Sequence, residues 1–337
     1  MTLSLRLRHR FPGIQIDIAF ETAAPGVTVL FGPSGSGKST VIAAAAGLLR
    51  PDACRIAVGD RVLADTEAGI WLPPEARGAG LVFQDARLFP HMSVATNLRY
   101  GQRRAQPGRV DFDDVVDLLG IAALLAQPRL LLMDEPLASL DQERKAEIMP
   151  FLARMKTALD LPVLYVTHAL DEVTRLADSV VLLDAGHVVA AGSLSDIASR
   201  AGLPLARRDD AGAVLLCRVV AHDPARELTL LRGAGADLWV PLSDAPVDAP
   251  MRVRIPAREV ILAGKAPEAI SLHNIIPGTV RTIVADAVRR SVMVEIALEG
   301  GALLSRVTPD AVARLGLGPG VPVLALVKST AVEVIRA

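Results

Sequence analysis

The sequence predicts an α/β domain with a mixed, largely parallel sheet, followed by an all-β module. Three observations lead there. Apolar β-type runs alternate with helical patterns as far as about residue 200, the arrangement of parallel strands joined by crossover helices. One of those runs, Val27-Thr28-Val29-Leu30-Phe31, opens into a glycine-rich turn and then an alanine-rich helix. From Ala213 onward the chain turns to short β-type runs separated by Gly, Pro and Asp, as small barrels do.

Taken in order, residues 3–7 and 14–20 alternate apolar and polar side chains, which predicts paired strands and a sheet that is mixed at this edge. The buried strand 27–31 follows. The helix after the glycine-rich turn is expected to stop near Gly47 and Pro51, and residues 55–62 to form a hairpin about Gly59-Asp60. Residues 80–83 read as a short buried strand ending at Gln84. Residues 111–125 place Phe112, Val115, Val116, Leu119 and Ala123 on one helical face, which Gln127-Pro128 ends. Residues 130–133 form a buried strand that delivers Asp134 and Glu135 to its C-terminal end, the edge where α/β sheets hold ligands. An amphipathic helix over 143–159 is strained at Pro150. A strand over 163–166 ends in Thr167-His168, a helix covers 171–177, and 180–183 with 188–190 make a hairpin. Further on, Pro256-Ala257-Arg258-Glu259-Val260-Ile261 echoes Thr330-Ala331-Val332-Glu333-Val334-Ile335. Each echo closes a β-rich block of similar length, which predicts an internal repeat of two related small barrels.

A length of 337 residues suggests two domains, or one with an appendage. The 36 basic and 37 acidic residues leave a net charge of -1, and aromatics make up 3%, so neither a basic footprint nor a stacking platform for nucleic acid is evident and no nucleic-acid partner is expected. Cys54 and Cys217 stand far apart without metal-ligand spacing and read as buried thiols in a reducing compartment. Residues 1–10 alternate and carry arginines, a strand and not a signal peptide. Mean hydropathy is +0.38, yet the richest apolar run, 41–49, falls short of the ~18 residues that span a bilayer. Any membrane role is expected to come through a partner.

The glycine-rich turn carries the chemistry. Gly32-Pro33-Ser34-Gly35-Ser36-Gly37-Lys38-Ser39-Thr40 has the P-loop spacing, in which glycines let backbone N–H groups converge on phosphate oxygens ahead of a helix N-terminus. Lys38 balances charge on the β- and γ-phosphates, and Ser39 is placed to ligate the bridging Mg²⁺. Asp134, after four apolar residues, suits the same metal, and Glu135 can polarise an attacking water. Adjacent carboxylates repel one another, so the pair makes physical sense beside a cation.

Through residues 32–40, Gln84 in Val82-Phe83-Gln84-Asp85, residues 130–136, Ser139-Leu140-Asp141 and Thr167-His168, the chain resembles the ABC transporter ATPases. The resemblance implies ATP and Mg²⁺ as ligands and an α/β P-loop NTPase domain. It also implies that Gln84 touches Mg²⁺ and the attacking water, that Asp141 belongs to a loop crossing a homodimer interface, and that His168 contacts the γ-phosphate. More narrowly, residues 84–92 with 97–101 and 136–141 resemble the ATP-binding subunit of molybdate importers, over nearly the whole chain. That implies an ATPase on the cytoplasmic face of the inner membrane, docked on a membrane permease subunit through the segment after Gln84, where Leu88, Phe89 and Met92 offer apolar contact. A periplasmic molybdate-binding protein would be an indirect partner. In one place the chain departs from the family. Gly120-Ile121-Ala122-Ala123-Leu124-Leu125 runs directly into Ala126-Gln127-Pro128-Arg129, without the Leu-Ser-Gly-Gly-Gln-like segment whose N–H donors close on the partner's γ-phosphate. The alternative this implies is a hydrolysis-deficient nucleotide-binding or oxyanion-sensing protein, or a coding sequence that has lost an internal segment.

Ser271-Leu272-His273-Asn274, Gly278-Thr279-Val280, residues 303–308 and Val327-Lys328-Ser329 resemble the molybdate-binding Mop module, an OB-like barrel. The implied oxyanion site comprises Ser271, His273, Asn274, Ser305, Lys328 and Ser329, whose hydroxyls and cations suit a tetrahedral dianion. The family often carries arginine where His273 stands. Molybdate would then be a regulatory ligand. The expected domains are 1–200 for the nucleotide-binding part, 201–268 for an OB-like half and 269–337 for the Mop-like half.

Overall fold

The computed structural model describes residues 2–83, 128–158 and 161–336. Gln84, Leu88, Phe89, Met92, the expected helix over 111–125 and the departure after Leu125 lie outside the described residues. The chain divides into two units, Met1–Gly192 and Ser193–Ala337.

In the first unit, β1 (Thr2–Phe11) and β2 (Ile14–Ala23) pair antiparallel along their whole length, with Phe11 opposite Ile14 across Pro12-Gly13. The period-two pattern buries Leu3, Leu5, Leu7, Ile16 and Ile18 in one core and leaves the arginines on the other face. The chain continues through β3 (Gly26–Phe31), α1 (Lys38–Ala46), β4 (Ala53–Val58), β5 (Arg61–Asp65), β6 (Ile70–Trp71) and β7 (Ala79–Val82). Then come β8 (Leu130–Asp134), α2 (Gln142–Ala158), β9 (Pro162–Thr167), α3 (Leu170–Leu176), β10 (Ser179–Asp184) and β11 (His187–Ser193). The strands form one sheet in the order β6-β5-β4-β1-β2-β11-β10-β3-β9-β8-β7. From β10 to β7 every pairing is parallel, and β3, β8 and β9 are almost wholly buried, as strands covered on both faces should be. The antiparallel ribbons stand at the other side, so the sheet is mixed where the sequence places the mixture.

Pro150 sits inside α2, and the helix runs through it. An interior proline costs about 3 kcal/mol. Burial of its neighbours Met149 and Leu152, each contributing about 1.5–3 kcal/mol, offsets that cost.

The second unit begins with the short helix α4 (Leu194–Ala198) and then repeats one plan twice. Its first sheet is ordered β14 (Ala236–Pro241), β13 (Leu228–Gly233), β12 (Gly212–Asp223), β15 (Pro250–Pro256), β21 (Glu333–Arg336). The second is ordered β19 (Gly301–Val307), β18 (Ser291–Leu298), β17 (Asn274–Asp286), β20 (Pro322–Val327), β16 (Ile261–Ala263). The helix α5 (Pro309–Leu315) joins β19 to β20. Read in this direction the two sheets match strand for strand, and each long first strand has a register shift at the equivalent place, Val219/Ala221 and Val280/Thr282. The closing strand of each half is exchanged: β16 completes the second sheet and β21 the first. One core cluster draws on both sheets.

The repeat is real, but the six-residue echo reads it two residues out of register. The same step that takes Pro250 to Pro322 takes the 3-10 turn at Ala257 to that at Ser329, and Ile261 to Glu333 rather than Ile335. A slip of two keeps every side chain on its own face of a strand, so alternation cannot detect it.

Asn274, 1% exposed, latches the two sheets together. Its Oδ1 accepts from Trp239 N at 2.7 Å and its Nδ2 donates to Trp239 O at 3.0 Å. Asn274→Ala strips both partners from a part-buried peptide group, at about 1–3 kcal/mol for each polar group left unpaired. Chemical denaturation should show the midpoint falling with no change in slope.

Candidate nucleotide site

Because β3, β8 and β9 are parallel neighbours, their C-terminal ends reach the same edge of the sheet. That edge receives the glycine-rich turn, Asp134-Glu135 and Thr167-His168. Gly32 is glycine for want of room, since a Cβ there would lie 2.1 Å from Leu183 O on β10. Gly37, in the left-handed region at φ 101°, opens α1 without any side-chain cap, so the first N–H groups of the helix point toward the turn with only backbone geometry to direct them. Gly47 closes the helix with its N–H on Ala44 O, where the sequence expects the stop.

Lys38 Nζ donates to Gly32 O and Pro33 O, both at 2.8 Å, which holds its charge over the turn. Ser39 Oγ donates to Asp134 Oδ1 at 3.3 Å. Glu135 takes a left-handed backbone at φ 47°, a conformation costing a non-glycine residue roughly 1–3 kcal/mol; its N–H is fixed on Val166 O at 3.0 Å. This turns its carboxylate to His168, whose Nδ1 lies 3.3 Å from Glu135 Oε2. Behind His168, Tyr165 O–H donates to Glu172 Oε2 at 2.9 Å and Lys145 Nζ to Oε1 at 3.2 Å, bracing β9 against α2 and α3. Asp141 accepts from Arg144 N at 2.9 Å and so caps α2.

The electrostatics are those of a site prepared for an anion and a cation. Burial pulls Lys38 below the ordinary lysine range, although Glu135 and Asp134 oppose the shift. Burial raises Asp134 above the ordinary carboxylate range; the Ser39 hydroxyl works against this, Glu135 adds to it and Lys38 opposes it. Ser36, 1% exposed, keeps a buried Oγ with no partner among the described residues. A hydroxyl donor and uncapped helix N–H groups fit phosphate oxygens, and Ser39 with Asp134 is a hard-oxygen pair that fits Mg²⁺.

The turn lines an open cleft of about 260 Å³ with Ser34, Gly35, Gly37, Lys38, Ser39, Thr40 and Glu135. Its other wall is Phe11, Ile14 and Ile16 from the β1–β2 ribbon; the alternation over 3–7 and 14–20 predicts the pairing of that ribbon and not its place beside the turn.

In the second unit, the residues expected to bind an oxyanion separate into two groups. His273 and Ser329 meet, Nδ1 to Oγ, at 3.1 Å, and Ser271 and Lys328 are exposed close by in sequence. Asn274 is engaged by Trp239, and buried Ser305 donates to Val260 O at 2.7 Å, so both serve the fold. Cys54 and Cys217 are buried thiols; burial pushes Cys217 up to about 12.

A P-loop at a strand-to-helix turn, with paired carboxylates on the tip of another strand at the same sheet edge, defines a nucleoside-triphosphate-binding α/β protein. The ABC transporter sequence profile matches residues 16–122 and the TOBE domain profile residues 270–334. Curated relatives named "Molybdenum import ATP-binding protein ModC" are 49% identical in Granulibacter bethesdensis, covering 99% of this chain and 98% of the relative, and 43% identical in Albidiferax ferrireducens, covering 98% and 96%. The chain belongs to this family of molybdenum import ATP-binding proteins. The alignment to the Granulibacter protein runs over 373 positions, more than this chain's 337 residues, so that relative has residues with no counterpart here.

Asp134's raised value has a stability consequence. Below the ordinary carboxylate pKa of about 4 its burial carries no ionic penalty; the penalty grows as pH rises toward the raised value and is complete above it. Without nucleotide, Asp134→Asn should therefore melt higher than wild type at neutral pH. In a pH series the difference should close on acidification, and Mg²⁺-dependent stabilisation by nucleotide should be lost.

Proposed function

We propose that this protein is the ATP-binding and ATP-hydrolysing subunit of a molybdate importer. The observation that carries the reading is the convergence of Lys38, Ser39, Asp134, Glu135 and His168 at one sheet edge. The N-terminus of α1 and Lys38 hold the β- and γ-phosphates, and Phe11, Ile14 and Ile16 offer the adenine an apolar wall. Ser39 and Asp134 would hold Mg²⁺, which would supply Lewis-acid charge to the phosphate. Glu135, oriented by its strained backbone and by His168, positions water for attack on the γ-phosphorus and takes its proton as the bond to the β-phosphate oxygen breaks. Gln84 is assigned to the same metal and water by family resemblance.

The importer assignment rests on the relatives' names and on their coverage of nearly all of this chain. It implies a homodimer and a membrane permease partner reached through the segment after Gln84, on the cytoplasmic face of the membrane. Among the described residues no helix is long and apolar enough to cross a membrane. The 201–268 and 269–337 halves form a regulatory module. Within it, His273, Ser329, Lys328 and Ser271 provide an oxyanion-binding face, and Asn274 and Ser305 support it.

Hydrolysis measured on the full chain with Mg²⁺, with and without the cognate membrane subunit, tests the reading. Turnover lowered about 10²-fold or more by Glu135→Gln, with ATP still bound, is the expected outcome. Binding without turnover would assign the cost to the missing signature segment. Absence of ATP binding would reject the reading.

A further inference from the structure

Arg77 is the largest fully buried side chain of the described residues, 1% exposed. Among the described residues no carboxylate pairs with it. Its Nη1 donates to Ala44 O at 2.7 Å and Ala45 O at 2.9 Å, the last turn of α1, and its Nε donates to Leu72 O at 2.8 Å. The guanidinium lies 4.4 Å over the Trp71 ring, while Nη2 has no partner among the described residues. Carbonyls at the negative end of a helix, together with a π-face, hold this cation. Gly47 keeps the space open, for a Cβ there would come within 2.7 Å of Arg77 Nε. Burying a charge in this way is expensive, and burial lowers its pKa. A lysine or a neutral cap could end a nine-residue helix more cheaply.

The contacts around Arg77 close a ring. Gly78 O, the next carbonyl along, accepts from Arg129 N at 2.7 Å, directly ahead of β8. From there β7 and β8 run in parallel register, Ala79 with Leu130 through to Val82 with Met133. β8 ends at Asp134, and Asp134 accepts from Ser39 in the first turn of α1. Thus one end of α1 is fixed to the strand pair by Arg77, and the other end meets the tip of that pair through the Ser39–Asp134 contact.

We propose that Arg77 is a positioning residue for the magnesium pair, setting the axial placement of α1 so that Ser39 and Asp134 face one ion. It touches neither nucleotide nor metal. The inference rests on the nucleotide reading above and adds a distance-setting role that the P-loop itself cannot perform. Displacement of one ligand oxygen by a fraction of an ångström weakens a metal that tolerates little departure from octahedral geometry.

The test is equilibrium binding of ATP to the full chain in Mg²⁺ and in EDTA, for wild type, Arg77→Met, Arg77→Lys and Trp71→Leu, with thermal melts alongside. Expected is a gain in affinity from Mg²⁺ that falls roughly tenfold in Arg77→Met and less in Arg77→Lys, while affinity in EDTA changes less than about twofold. Trp71→Leu, which loosens the guanidinium and keeps its charge, should move the same ratio in the same direction. If Arg77→Met does not fold, Arg77→Lys and Trp71→Leu decide. Equal losses with and without Mg²⁺ would make Arg77 a helix cap alone, and an unchanged ratio in every folded variant would equally overturn the proposal. Wild type that binds no ATP would instead remove the nucleotide reading beneath it.

Discussion

The parallel register of β3, β8 and β9 is the constraint on which the site depends. Residues more than a hundred positions apart in sequence meet because three buried strands end at the same edge. Lys38 is held by the carbonyls of its own turn, but Ser39 with Asp134 and Glu135 with His168 meet only because the sheet brings them together. Lys38 begins a helix, Asp134 ends a strand, and His168 is exposed on a short connection. Hydrophobic burial of the strands fixes the backbone, and the backbone fixes the polar groups.

At that edge the fold accepts unfavourable electrostatics. Burial shifts Lys38 and Asp134 both toward their neutral forms, Glu135 is twisted into a left-handed backbone, and Ser36 keeps a hydroxyl with no partner among the described residues. The opposing charges of Lys38 and the carboxylates reduce the cost without removing it. A triphosphate with its metal would offset the buried charges together: anion beside Lys38 and the helix terminus, cation beside Asp134. The site is therefore least comfortable when it has nothing to bind.

Much of this was legible in the sequence. The P-loop spacing, the run 130–133 ahead of Asp134 and the strand ahead of Thr167-His168 pointed to the fold and to residues that it brings to one edge, because a short motif with its flanking elements fixes local geometry. Phe11 was not legible as part of the cleft, since a ribbon strand's alternation says which face a residue takes and nothing about what folds over its tip. Arg77 gave no signal at all: its partners are carbonyls of Ala44, Ala45 and Leu72, and main-chain acceptors carry no letter in a sequence. Asn274 and Ser305 looked like ligand-binding residues because a buried amide bound to a peptide group and one turned to a ligand are written alike.

The exchange of β16 and β21 has a consequence for how the second unit comes into being. The first sheet is completed by a strand that the ribosome delivers only after the whole of the second half, so the earlier barrel must wait, with an edge open, while the later one is made. An exposed edge of that kind is where stray pairing begins. Once β21 arrives, both halves are closed by each other's strand, and neither can open alone without breaking the ladder of its twin.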